Sequence, residues 1–207
     1  MKKNKVITIL ACTVCFILLI VSVFILYDYG IIYSQNTTEL YNSINVNVML
    51  NSHNNTPLYG RGFFIDENKV VMKARDDFDN FEMKIMDRYG NMYNVIDKKV
   101  YEKICIAKID GRNIHEAKYL YGHVKNNDII EACITKDNIV KDYKVIDNHY
   151  GTEDNILCDG IIEWKAGGTA IDKHGRIIGM TMNNGTGHPV FFIIPIYDIL
   201  EKAKDLD

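Results

Sequence analysis

The residues able to do chemistry are present but dispersed. Six histidines, His53, His115, His123, His149, His174 and His188, fall one at a time along the 207 residues. Of five cysteines, Cys12 and Cys15 sit inside an uncharged apolar run, leaving Cys105, Cys133 and Cys158. Three is an odd number and no two form a CxxC pair, so neither a zinc site nor a disulfide framework is expected. Buried free thiols are the expected state. Asp76-Asp77 and Asp110-Gly111-Arg112 lack the ligand spacing of a calcium loop, so no metal is expected, and no cofactor either.

The elements that would carry these residues begin with a hydrophobic segment. Val6 to Tyr27 contains no charge and is nearly all Ile, Leu, Val, Phe and Cys. At about 1.5 Å per residue such a run spans a hydrocarbon core of about 30 Å. Lys2, Lys3 and Lys5 precede it and Asp28 follows, which places the N-terminus in the cytoplasm and exports the rest. The run is long and ends without a small-x-small cleavage site, which favours an uncleaved anchor over a signal peptide. Cys12 has too short an apolar run before it for a lipoprotein box. The expected organisation is a cytoplasmic N-terminus (1–5), a transmembrane signal anchor (6–27), a stalk (28–40) and a folded extracytoplasmic domain (41–207). The expected location is the cell membrane, crossed once.

Outside the membrane, 21 basic and 27 acidic residues remain once the three leading lysines are set aside, a formal −6. That balance excludes a nucleic-acid binder working by phosphate neutralisation, and it gives no attraction to anionic lipid. From Ile44 onward the chain breaks into short apolar runs: Ile44–Leu50, Gly62–Ile65, Val70–Lys73, Phe81–Met86, Met92–Ile96, Lys103–Ile109, Lys118–Tyr121, Ile129–Thr135, Lys141–Ile146, Gly160–Ile162, Ile177–Met182 and Val190–Ile194. Arg88-Tyr89-Gly90-Asn91 and Asp172-Lys173-His174-Gly175 read as hairpin turns. A strand every 8–12 residues or so predicts an all-β sandwich or a pair of barrels. After Pro195, a terminal helix places Ile196, Ile199, Leu200 and Ala203 on one face.

Four segments, in order, resemble the trypsin-like serine peptidases, closest to the HtrA/DegP branch. Gly60-Arg61-Gly62-Phe63 is similar to the family's G-x-G-F strand. Val70 to Arg75 stands where the family has a strand ending T-x-A-H, and Lys103 to Ile109 resembles its D-L-A-x-L-K strand. Trp164 to Ala170 resembles G-N-S-G-G-P-L, followed by Gly175 to Met180 and Phe192 to Pro195, which resemble G-x-I-x-G-I and F-A-I-P. The resemblance covers about 150 residues, Ile44 to Leu200, and implies two six-stranded β-barrels with a C-terminal helix; the family's PDZ domains are expected to be absent.

The same resemblance implies a lost active site. The family's triad needs a hydroxyl nucleophile, an imidazole that takes its proton and a carboxylate that orients the imidazole. Those positions are Ala166, Arg75 and Lys103 here. Arginine, with a pKa above about 12, cannot serve as a general base. Thr169 and Cys158 are the nearby hydroxyl and thiol, and both are expected to pack within strands. Arg75 and Lys103 are expected to bring two cations together, compensated by Asp76, Asp77 or Glu102, either as a solvated cluster or as a site for a partner's carboxylate. Trp164 stands in the glycine position of the family's oxyanion hole, where it fills the specificity pocket or packs as a core aromatic. The reading is an anchored pseudopeptidase that binds a peptide or protein partner. The partner would add as a strand along Met180-Thr181-Met182, with Gly167 and Gly168 admitting its backbone. The alternatives are a serine-type endopeptidase with an unrecognised site and a structural module assembling with a membrane partner.

Overall fold

In a computed structural model, the residues described are 12–23, 37–51, 58–75, 78–113, 119–133, 140–152, 154–161, 167–183 and 189–206. The chain divides into two units, Met1–Gln35 and Asn36–Asp207. In the first, residues 12–23 form helix α1, whose Phe16 and Leu18 are exposed. Among the described residues no helix is long and apolar enough to cross a membrane. Helix α1 lies inside the uncharged run, whose two ends fall outside the described residues.

The second unit contains two closed six-stranded antiparallel barrels. In the first barrel, β1 (Asn45–Asn51), β2 (Leu58–Phe64), β3 (Lys69–Lys73), β4 (Glu82–Asp87), β5 (Met92–Val100) and β6 (Ile104–Ile109) close in the order β1-β2-β3-β6-β5-β4. The second barrel takes β7 (Ile129–Cys133), β8 (Val140–Tyr150), β9 (Asn155–Asp159), β10 (Thr169–Asp172), β11 (Ile177–Asn183) and β12 (Val190–Pro195) in the order β10-β11-β12-β9-β8-β7. Alternation explains the inward faces: Val46, Val48 and Leu50 of β1 are buried while Asn47 is exposed. Strand β6 is buried over Ile104–Ala107. Beside it, Lys108 Nζ donates to the carbonyl of Leu206 at 3.0 Å and Tyr101 Oη donates to that of Lys202 at 2.8 Å, docking the C-terminal segment on the first barrel.

Both expected hairpins form around a buried aspartate. Asp87 accepts the amides of Tyr89 and Asn91 at 2.9 and 2.8 Å. Asp172 accepts those of His174 and Arg176, and Arg176 also clamps its second oxygen at 2.7 Å. Helix α3 (Ile196–Ala203) buries Ile196, Ile199 and Ala203, as its spacing implies. A further helix, α2 (Thr37–Ile44), lies where a stalk is expected. Its Leu40, Tyr41 and Ile44 are buried, and Tyr41 Oη donates to the Glu131 carbonyl at 2.9 Å. Helix α2 thus overlaps the expected stalk over residues 37–40.

Candidate functional site at the junction of the barrels

Three segments converge where the barrels meet. Lys73 ends β3 in register with Ile104 of β6. One residue further, the Ala74 amide donates to the Lys103 carbonyl at 2.9 Å. Backbone pairing thus brings positions 75 and 103 side by side. The third segment comes from the second barrel. Gly167 has φ +110, and a Cβ there would lie 3.0 Å from the Arg61 carbonyl oxygen and 3.5 Å from the Lys73 amide nitrogen. Only glycine combines that conformation with so close an approach. Two residues on, Thr169 Oγ1 donates to Asn45 Oδ1 at 2.7 Å, tying this segment to the first barrel. Ala166 and Trp164 lie outside the described residues, as do Asp76 and Asp77.

The side chains at positions 75 and 103 each lie near a different aromatic ring. The Arg75 guanidinium lies 5.9 Å from the centre of the Phe81 ring and lines a cavity of about 340 Å³ with Tyr59, Arg61, Lys73, Phe78 and Asn183. Lys103 Nζ lies 5.7 Å from the centre of the Phe192 ring in the second barrel. It lines a different cavity, of about 260 Å³, together with Glu102 and Asp198. Their backbones adjoin, but each cation covers its own aromatic face, an arrangement worth roughly 0.5–1 kcal/mol at exposed sites.

Among the described residues, the thiol, hydroxyl and imidazole groups singled out in the sequence are placed as follows, while His53, His115 and His188 lie outside the described residues. Cys158 is fully buried in β9, and burial, helped by the neighbouring Asp159 charge, pushes its thiol up to about 12. Thr169 is fully buried and spends its hydroxyl proton on Asn45. His123 stacks on Tyr197 with ring centres 4.1 Å apart, and His149 Nδ1 lies 3.4 Å from Asp154. His174 sits in the β10–β11 turn. Among the described residues no group of three or more His, Cys, Asp or Glu could hold a metal.

The expected docking edge is already paired at Met180, opposite Thr169, and at Thr181. Thr181 donates its amide to the Gly168 carbonyl at 2.9 Å, and its own carbonyl accepts the Gly167 amide at 2.8 Å. Its hydroxyl also donates to Gly168 at 3.1 Å. On the other side, Met180, Thr181 and Met182 stand in register with Ile194, Ile193 and Phe192 of β12. All three are buried. A peptide could not add at Thr181 without breaking the contact that holds Gly167 and Gly168. The reason is the long-range partner: the glycines expected to admit a ligand backbone themselves occupy that edge.

No family model matches the chain, and no curated protein matches it. Solved structures do. The Rv3671c protease from M. tuberculosis, in its active form, superposes with a TM-score of 0.61 over 82% of this chain and 83% of that one, at 11% identity. With two closed six-stranded barrels, the fold is that of the trypsin-like serine peptidases. At that identity the likeness speaks to the fold alone.

Proposed function

We propose that this protein is a membrane-anchored, extracytoplasmic pseudopeptidase that holds a peptide or protein partner without cleaving it. One observation carries the reading. The strand ends that would present an imidazole and its orienting carboxylate in this fold present Arg75 and Lys103, with Lys103 bonded through its backbone to Ala74. Arginine cannot take a proton from a nucleophile, and Ala166 supplies none. The buried, protonated Cys158 offers no substitute. The structural-module reading draws support from the paired edge at Thr181.

The test is to treat the full-length chain, in detergent micelles, with a fluorophosphonate probe and with unfolded casein. No labelling and no cleavage are expected. Ala166→Ser alone is expected to remain silent, because Arg75 still accepts no proton. Specific labelling that survives repurification would overturn the reading. A pull-down from the native envelope separates a peptide-holding protein from a structural module by what is retained: short peptides, or one stoichiometric membrane protein.

The topology half of the proposal has its own test. With Lys2, Lys3 and Lys5 inside, protease added to intact cells is expected to remove residues 36–207 from the cell surface or, in a two-membrane cell, only after the outer membrane is opened. Full protection with the relevant membrane opened would refute the orientation.

A further inference from the structure

We propose that three outward-facing methionines of the first barrel, Met49, Met86 and Met92, form a binding site for a soft monovalent metal ion, Cu(I). The site is independent of the peptide-holding reading above. Methionine is among the side chains most often buried, so a group of them gathered on an outer surface is informative.

Alternation sets the face. On β4, Met83, Ile85 and Asp87 are buried, while Glu82, Lys84 and Met86 turn outward. On β1, Val46, Val48 and Leu50 are buried, and Asn47 and Met49 turn outward. On β5, Tyr93 and Val95 pack against the core, which leaves Met92 and Asn94 on the outer side, with Met92 47% exposed. Pairing then gathers the three methionines. Met86 stands directly opposite Met92. Met49 stands opposite Lys84, and Asn47 opposite Met86, so Met49 and Met86 are diagonal neighbours. Directly opposite residues have Cβ atoms about 4.5–5.5 Å apart, and diagonal neighbours lie about 7–8 Å apart, still within reach of long side chains. A methionine carries its sulfur two bonds beyond Cβ on an unbranched, rotatable chain, so the three thioethers can converge on one ion without moving the backbone.

The ligand atoms select the ion. Thioether sulfur is neutral, soft and polarizable, and it suits Cu(I); zinc, calcium and magnesium take thiolate, imidazole or oxygen instead. The missing calcium-loop spacing and CxxC pairs concern those other ligands and not thioethers. Lys84 shares the outer face, but its Nζ lies 3.3 Å from Glu82 Oε1, which offsets its charge toward a singly charged ion. A thioether has no proton to lose, so binding here is independent of pH, unlike binding by histidine or cysteine.

The experiment titrates the full-length chain in micelles with Cu(I), kept reduced under argon, against the chromogenic chelator bicinchoninate. Accessible thiols, the exposed Cys12 and Cys15 among them, are first blocked with N-ethylmaleimide, because thiolates also take Cu(I). One ion is expected to be retained per chain. Met86→Leu and Met92→Leu, swaps that conserve volume, should each weaken it at least about tenfold. Met83→Leu, on the inward face of the same strand, should leave it unchanged. Isotope-labelled methionine methyls give a second readout by NMR: on adding Cu(I), the signals of Met49, Met86 and Met92 should shift together while that of Met83 stays in place. The affinity at about pH 5.5 should match that at about pH 7.5, whereas an imidazole site would lose about tenfold and a thiolate site about a hundredfold. No Cu(I) retained after thiol blocking, retention undiminished in both outward variants, or a shift confined to one methyl would overturn the proposal. A loss of tenfold or more on acidification would overturn it as well, by assigning the ion to histidine or cysteine.

Discussion

Gly179→Ala is expected to leave the protein without a stable second barrel. Gly179 lies within β11 at φ +155, paired to Ala170 of β10 and Pro195 of β12. A Cβ built there would stand 2.0 Å from the Ile194 carbonyl oxygen and 2.6 Å from Ile193 Cγ2. The first obstacle is backbone of an adjacent strand, so it cannot swing away as a long side chain would. Relief requires β11 and β12 to separate, and β11 also holds Gly167 and Gly168 through Thr181. Overpacking alone costs about 1–3 kcal/mol, and added strand separation takes the loss beyond roughly 3–4 kcal/mol. That is a large part of the about 5–15 kcal/mol by which domains are stable. Gly90→Ala is the matched control: φ is +88, but nothing lies within 4 Å of the added carbon, so only local strain of about 1 kcal/mol is expected. Denaturant melts of the two variants should differ by several kcal/mol. Equal losses would mean that the β11–β12 contact yields easily and that glycine is not required there.

Much of this architecture is legible in the sequence because both its periods are local. The spacing of Ile196, Ile199 and Ala203 gives α3, and the Asp87 and Asp172 turns announce two hairpins. Where the sequence reading departs from the structure, the deciding partner is remote. The run Gly160–Ile162 suggests a strand, yet the strand is Asn155–Asp159. Gly160 adopts φ +104 with the Tyr143 ring 2.5 Å from its notional Cβ, and Ile161 is 60% exposed. Strand β10 is four residues long and buried throughout, too short for a period to register. Strand β5 runs on through Asp97-Lys98-Lys99, beyond the expected run Met92–Ile96, because β6 pairs with it across a bulge. Lys118–Tyr121, expected as a strand, contributes only a bridge from Tyr121 to Ile177 among its described residues.

The site divides along the same line. That positions 75 and 103 adjoin follows from two segments resembling one fold, and the Ala74–Lys103 bond places them so. Which way the side chains go does not follow, because Phe81, just before β4, and Phe192, in the other barrel, attract the cations. The Thr181 edge looks open in one dimension because Gly168, its partner, precedes it by a whole hairpin.

Stability is expected to hold up to about pH 9 and then fall steeply. Cys158, ordinarily near 9.0, is pushed up to about 12 by burial and then by the Asp159 charge. Tyr121, ordinarily near 10.0, is pushed up to about 12 by burial and then by Asp66 and Tyr197. Burial also raises Tyr119. In each case the folded state keeps a proton that the unfolded chain releases. Unfolding then loses protons, so stability is intact below the unfolded pKa and declines as pH climbs toward the folded one. For the fully buried Cys158 the window is about pH 9 to 12, and the contribution at stake is on the order of 4 kcal/mol. Between about pH 9 and 10 the decline belongs to the thiol, and above about 10 the tyrosines join it. Cys158→Ala should lower stability near neutral pH by leaving a small cavity but flatten the first part of the curve, whereas Tyr121→Phe should flatten only the second. Denaturant melts at stepped pH check this, with iodoacetamide labelling of the native chain near pH 8 as the companion measurement. A native Cys158 that alkylates as fast as the unfolded one, or stability that stays level to about pH 11, would refute a thiol held neutral. The labelling bears directly on function. Cleavage through Cys158 would require its thiolate, and a thiol that burial holds neutral supplies none at neutral pH.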